Sequence, residues 1–446
     1  MIFQPLLAQK LQLVNNHKGK NMSNFELVRH LFLQLALILF VCRCVVFLGG
    51  KYLKQTEVVC EMIAGVLLGP SFFGLIAPEI KEWLFPSELI VSNNNNRDVF
   101  SHPSMSILYA LSHIGLVLYM FLVGVEFKEG YIHKKLKKIS IINSLGILSP
   151  FLLGILTTFF LYNQPGLFQP HIGIWSASLY FGIMVSITAF PTLAHMLNEK
   201  NMSKTNFGSI SLVATSIGNA TAWCLLALAL SCIKNNLITA LAAIIGGVFY
   251  VLFFHLMGKK ILTFFFKKFN KLNLNIVVVY ILIIVMLGAW IADAIGIYSV
   301  FGAFIIGLAI PRGKIAKQIC DKIQPLTNSF LLPIFFAYSG LNTSINLVDG
   351  ANLWATTFLV IIIAIIGKGV FCTLATQALG GNWKESMIIV ITMNCHGLME
   401  LIILNMGLEN NIITSVFFTI GVLMALVTTL VTSPLFKILH AFRSNN

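Results

Sequence analysis

The chain has 446 residues, 57% of them hydrophobic and only 10% charged, with a mean hydropathy of +0.86. A soluble domain carries about 25% charged residues, so a soluble enzyme is excluded. The net charge of +14 is spread over short loops rather than gathered into one basic patch, which argues against a nucleic-acid partner.

Apolar runs of roughly 20 residues recur along the chain, each long enough to cross a hydrocarbon core about 30 Å thick. Helices satisfy their own backbone groups in lipid, so the expected fold class is all-α, a polytopic membrane protein. Residues 1–24 lack a small-residue cleavage site, and 1–28 read as an extracytoplasmic segment with no removable signal. Thirteen spans follow, at 29–50, 56–77, 104–126, 139–162, 173–197, 207–232, 237–265, 274–293, 297–311, 327–342, 352–379, 385–407 and 412–436. Ala294-Ile295-Gly296 alone separates the eighth from the ninth, which leaves twelve as an alternative count.

Charge fixes the expected orientation. Lys128, Lys134, Lys135, Lys137 and Lys138 follow span 3, Lys259, Lys260, Lys267, Lys268 and Lys271 follow span 7, and Arg312, Lys314, Lys317 and Lys322 follow span 9. All three loops follow odd spans, and basic loops face the cytoplasm. Glu79, Glu82, Glu88, the Asn93 to Asn96 run and Asp349 fall on the other side. The N-terminus is therefore expected outside, with 437–446 a short cytoplasmic tail. Cysteines 42, 44, 60, 224, 232, 372 and 395 sit in apolar segments without zinc or disulfide spacing. No phosphate-binding glycine motif is present, so ATP is not the expected energy source and no cofactor is expected.

Four segments carry polar chemistry inside apolar spans. Span 5 holds Ser186-Ile187-Thr188-Ala189-Phe190-Pro191. Pro191 has no N–H to donate, and the residue before a proline resists helical angles, so the helix is expected to break beside the Thr188 hydroxyl. Span 6 holds Gly218-Asn219-Ala220-Thr221-Ala222-Trp223. Span 11 places Lys368 between apolar neighbours, at a cost of roughly 2.5–3.5 kcal/mol on insertion scales, so a partner from another helix is expected. Span 12 holds Met393-Asn394-Cys395-His396-Gly397-Leu398-Met399-Glu400, a second break at Gly397. Spans 5 and 12 are seven crossings apart and run in opposite directions. Interrupted helices at corresponding positions of inverted halves point to a transporter site. Glu61, Glu126, Asp293 and Arg43 are the other intramembrane charges; Glu126 and Asp293 lie near span ends.

These segments in this order resemble the monovalent cation:proton antiporter-2 family. The matching motifs are Glu61-Met62-Ile63-Ala64-Gly65-Val66-Leu67-Leu68-Gly69-Pro70-Ser71, Phe121-Leu122-Val123-Gly124-Val125-Glu126, Ile187-Thr188-Ala189-Phe190-Pro191, Gly302-Ala303-Phe304, Leu332 to Leu341 and Gly397-Leu398-Met399-Glu400-Leu401-Ile402. The resemblance implies inverted repeats with two crossed discontinuous helices, a core including 139–232 and 352–436, a scaffold elsewhere within 29–436, and a homodimer. It also implies an aspartate in span 6, where this chain has Gly218 and Asn219, and arginine-type residues where it has His195 and His396. The family lysine falls on Lys368.

The leading expectation is a secondary transporter, not an enzyme, exchanging sodium or potassium for protons by alternating access. Its ion site would use Thr188, Asn219, Lys368, Asn394, His396 and Glu400, with Glu400 the first choice as partner of Lys368. Because asparagine does not take up a proton near neutrality, a non-transporting relative and a channel-like relative remain alternatives. A bacterial inner membrane or a plasma membrane is the expected location.

Overall fold

The structure is a computed structural model that describes residues 23–444, apart from 127–135, 230–236, 270–272 and a few single or paired positions, and only isolated residues between 191 and 229. Ten described helices are long and apolar enough to cross a membrane, and two shorter apolar helices accompany them. The sixth expected span, 207–232, lies largely outside the described residues.

Chain order begins with α1 (Asn24–Leu48), extended by one wide turn over Gly49–Leu53, and α2 (Glu57–Leu68). Two short helices, Phe73–Ile76 and Pro78–Leu84, lead into strands β1 (Glu88–Asn93) and β2 (Asn96–Ser101). The strands pair antiparallel, with Glu88 opposite Ser101 and Asn93 opposite Asn96. The fold class is all-α as expected, built on the membrane-length helices, and this two-stranded ribbon is a local addition between spans. Its β-branched and aromatic residues, Ile90, Val91, Val99 and Phe100, favour extended backbone around the polar asparagine run.

Next come α3 (Pro103–Glu126), α4 (Leu136–Leu161) and α5 (Ile174–Ser186), then α6 (Leu237–Phe253), α7 (Lys259–Phe269), α8 (Leu274–Ile295) and α9 (Ser299–Ala309). The last group is α10 (Lys314–Leu326), α11 (Leu332–Leu341), α12 (Gly350–Ala378), α13 (Trp383–Met393), α14 (Leu398–Glu409) and α15 (Ser415–Ser444). Helices α8 and α9 are separate. Gly296 closes α8 with a left-handed φ of 92°, and the Asp293 carboxylate accepts the Ser299 N–H at 2.6 Å.

The stretch expected as a loop between spans 9 and 10 is helical. Helix α10 buries Ala316, Ile319, Cys320 and Ile323 while Lys314, Lys317 and Lys322 face outward. The lysines lower the hydropathy of the stretch, but its apolar residues recur at helical spacing. Helix α7 runs on past 265, the expected end of span 7, to Phe269, with Lys259 and Lys260 exposed and Leu262 buried.

Helix α4 packs on α5 and α12, α12 on α13, and α15 on α12, α13 and α14. In the other group, α3 packs on α9 and α11, α2 on α1 and α11, and α8 on α9. Glycines set the closest approaches. A Cβ on Gly340 of α11 would lie 2.0 Å from the carbonyl carbon of Gly65 on α2, and one on Gly124 of α3 would lie 2.3 Å from the carbonyl oxygen of Phe304 on α9. Small residues let membrane helices pack by backbone contact, which explains the glycines at 65, 124 and 340.

Candidate functional site

Both expected interruptions are present, and they meet. Helix α5 stops at Ser186, Ile187 is extended with φ −70° and ψ 149°, and helix resumes at Phe190. In an unbroken helix the N–H of residue 191 would satisfy the Ile187 carbonyl, and a proline has none. Pro191 itself lies outside the described residues, as do Asn219, His195 and Cys395. Helix α13 stops at Met393, and α14 starts after Gly397, whose φ of 132° and ψ of −120° suit glycine.

Lys368 joins the two breaks. It is fully buried on α12; the carbonyl of its neighbour Gly367 accepts the Ser149 hydroxyl of α4 at 2.8 Å. A Cβ at Gly367 would come 3.0 Å from Pro150, so α4 braces the turn that aims the lysine. The ammonium donates to the Ile187 carbonyl and lies 3.1 Å from His396 Nε2. On the other side of the ring, His396 Nδ1 pairs with Glu400 Oε1. Glu400 Oε2 accepts the Gly397 N–H at 2.6 Å. The expected pairing of Lys368 with Glu400 therefore runs through the imidazole of His396.

The charges suit the half-helix ends. A helix carries about half a positive charge at its N-terminus and half a negative charge at its C-terminus. Lys368 meets the C-terminal end of α5, and Glu400 lies in the first turn of α14. His396 and Glu400 are both fully buried.

Hydroxyls tie the breaks together. Thr188 donates to the Met393 carbonyl at 2.9 Å, and Thr432 of α15 donates to the Asn394 carbonyl at 3.4 Å. The Asn394 side chain donates to Val390 at 3.1 Å, while its buried Oδ1 has no hydrogen-bond partner among the described residues. Ser211 lies 3.0 Å from the Thr392 hydroxyl, and Thr215 contacts Met393 Sδ at 3.3 Å. The sequence reading missed Ser149, Ser211, Thr215, Thr392 and Thr432. Ser211, Thr215 and Gly218 recur at one-turn spacing, a polar face that was there to find.

The other intramembrane charges have separate settings. Arg43 and Glu57 form an ion pair with both side chains exposed, Asp293 caps α9, and Glu61 is buried on α2.

The transmembrane sodium/hydrogen exchanger family model matches residues 36–440. The Na(+)/H(+) antiporter NhaS4 of Synechocystis is 37% identical over 410 residues, covering 90% of this chain and 95% of that protein. The K(+)/H(+) antiporter 1 of Saccharomyces cerevisiae is 31% identical over 91% of this chain, and cation/H(+) antiporter 15 of Arabidopsis thaliana is 32% identical over 95% of it. This chain spans about half the length of these two, 46% and 49% respectively. The structure of the sodium proton antiporter MjNhaP1 from Methanocaldococcus jannaschii superposes with a TM-score of 0.56 at 14% identity, covering 92% of this chain and 96% of that one. At that identity the likeness establishes a shared fold.

Proposed function

The chain belongs to the sodium/hydrogen exchanger family, and from that premise we propose that it exchanges a monovalent cation, sodium or potassium, for protons across a membrane. The observation that carries this reading is the reach of one buried ammonium, Lys368, to both helix interruptions at once. Carbonyls left without helical partners attract cations, and half-helix ends supply that arrangement at mid-membrane.

Thr188, Asn219, Lys368, Asn394, His396 and Glu400 form the transport site in this proposal, with Pro191 and Gly397 holding the helices open. The moving core comprises 139–232 and 352–436 and rocks against the remaining helices, which form the scaffold of a homodimer. The N-terminus lies outside and the C-terminus in the cytoplasm of a bacterial inner membrane or a plasma membrane. Three relatives that each match at least 90% of this chain are named as antiporters, and no structural observation favours a non-transporting or channel-like chain.

Reconstitution into liposomes that enclose a pH dye tests this reading. A pulse of external sodium or potassium is expected to raise the lumenal pH as protons leave in exchange. A lumen whose pH ignores both cations overturns it.

A further inference from the structure

A cation–proton exchanger needs a group that gains and loses a proton where the cation binds. An aspartate in span 6 would serve, but this chain has Gly218 and Asn219 in the segment that ends Thr221-Ala222-Trp223. Resting on the exchange reading above, we propose that the His396–Glu400 pair, coupled to Lys368, carries the exchanged proton.

The geometry supplies the logic. An ammonium has only N–H bonds to offer, so His396 Nε2 accepts from Lys368, which leaves the ring proton on Nδ1, the nitrogen paired with Glu400 Oε1. One added proton on the pair turns the imidazole into a double donor or neutralises the carboxylate. In the first case Nε2 no longer accepts from Lys368, and two positive groups face each other. In the second, the negative charge that balances Lys368 disappears. Either way the balance of charge beside the Ile187 and Met393 carbonyls becomes more positive. A cation bound at those carbonyls and a proton on the pair therefore exclude one another, and exclusion of this kind couples the two fluxes.

Among the described residues, few other charges lie on the elements packed around the pair. Helix α12 contributes Lys368, and α5 contributes no charged residue, only Tyr180, which donates to Ile403. Helix α13 carries Lys384 and Glu385 in its first turn, α14 ends in Glu409, and α15 carries Lys437, His440 and Arg443 in its last turns. Glu61 lies on α2, which packs against α15.

The test compares wild type, Glu400→Gln and Glu400→Asp in liposomes. Glutamine keeps an oxygen to accept the Gly397 N–H, so the helix end stays capped while the charge is lost. Two fluxes are read: cation-driven lumenal pH change, and counterflow of labelled cation at equal pH, which needs no proton. Glu400→Gln, which mimics the protonated carboxylate, is expected to lose cation-driven proton movement by roughly 100-fold, the scale of a lost proton-transfer group, and to retain only a weakened counterflow that no longer varies with pH. Glu400→Asp is expected to keep proton movement with a displaced pH midpoint. A Glu400→Gln protein with the wild-type proton flux and pH profile overturns the proposal. So does loss of both fluxes in Glu400→Gln beside an unshifted Glu400→Asp profile, because the carboxylate then only holds the helix end. A wild type with no cation-driven proton movement overturns the exchange reading itself.

Discussion

Thr188 in the first interruption gives its hydroxyl hydrogen to the main-chain oxygen of Met393 in the second, across 2.9 Å. That bond joins two segments 205 residues apart in sequence, and both residues are buried. It satisfies a carbonyl that the end of α13 leaves open, at the point where the two helices cross.

Thr188→Val removes the donor while nearly keeping the shape. A buried acceptor left without its partner costs about 1–3 kcal/mol. Thermal unfolding in detergent is expected to shift down for Thr188→Val and to stay near wild type for Thr188→Ser. An unchanged midpoint for the valine variant would show that Met393 finds another donor.

Lys368→Met leaves the Ile187 carbonyl and the His396–Glu400 pair without the ammonium that joins them. Charge-assisted hydrogen bonds contribute about 1.5–3 kcal/mol, so exchange in liposomes is expected to fall by roughly tenfold or more. Arginine is no substitute, since its planar fork replaces a point charge. Exchange at the wild-type rate in Lys368→Met would remove the lysine from the transport site.

Gly340→Ala tests the scaffold packing rather than the ion site. The new methyl would sit 2.0 Å from the backbone of Gly65, and overpacking of this kind costs about 1–3 kcal/mol. The expected result is a lower melting midpoint measured by fluorescence size exclusion. Gly350→Ala is a poor control, because its φ of 83° adds strain of its own. Gly50→Ala, with open space around it, is the better one and is expected to melt like wild type.

Gly397→Ala forces a side chain onto a φ of 132°. Such backbone costs about 1–3 kcal/mol in a residue with a Cβ. The change also disturbs the N–H that holds Glu400 in place. Both stability and exchange are therefore expected to drop, and proteolysis of the detergent-solubilised variant should start at lower temperature than for wild type.

Much of this was legible in the residues. Pro191 announced the first break because it withholds the N–H that Ile187 would need. Polar Asn394 and His396 beside Gly397 announced the second, since apolar spans rarely carry such a run. The buried charge of Lys368 required a partner from elsewhere. Its route through His396 was harder to read: positions 396 and 400 are four apart in sequence, but His396 lies in the break before α14, and which neighbour turns toward α12 depends on how three helices pack. The β1–β2 ribbon was hidden because a run of asparagines signals a turn without revealing what flanks it. Helix α10 was hidden for another reason, as lysines on one face dilute the hydropathy of the other. The hydroxyls of Ser211, Thr215 and Thr432 gain meaning only once their helices lie against the breaks.

The central claim is that cation and proton move against one another through the crossing that Lys368 spans. Recording labelled-cation efflux and proton influx simultaneously in the same wild-type liposomes tests it most directly. The account predicts that both fluxes start together, keep a fixed ratio, and that an imposed pH gradient drives the cation uphill. Cation flux that runs downhill regardless of the pH gradient, with no accompanying protons, would contradict it.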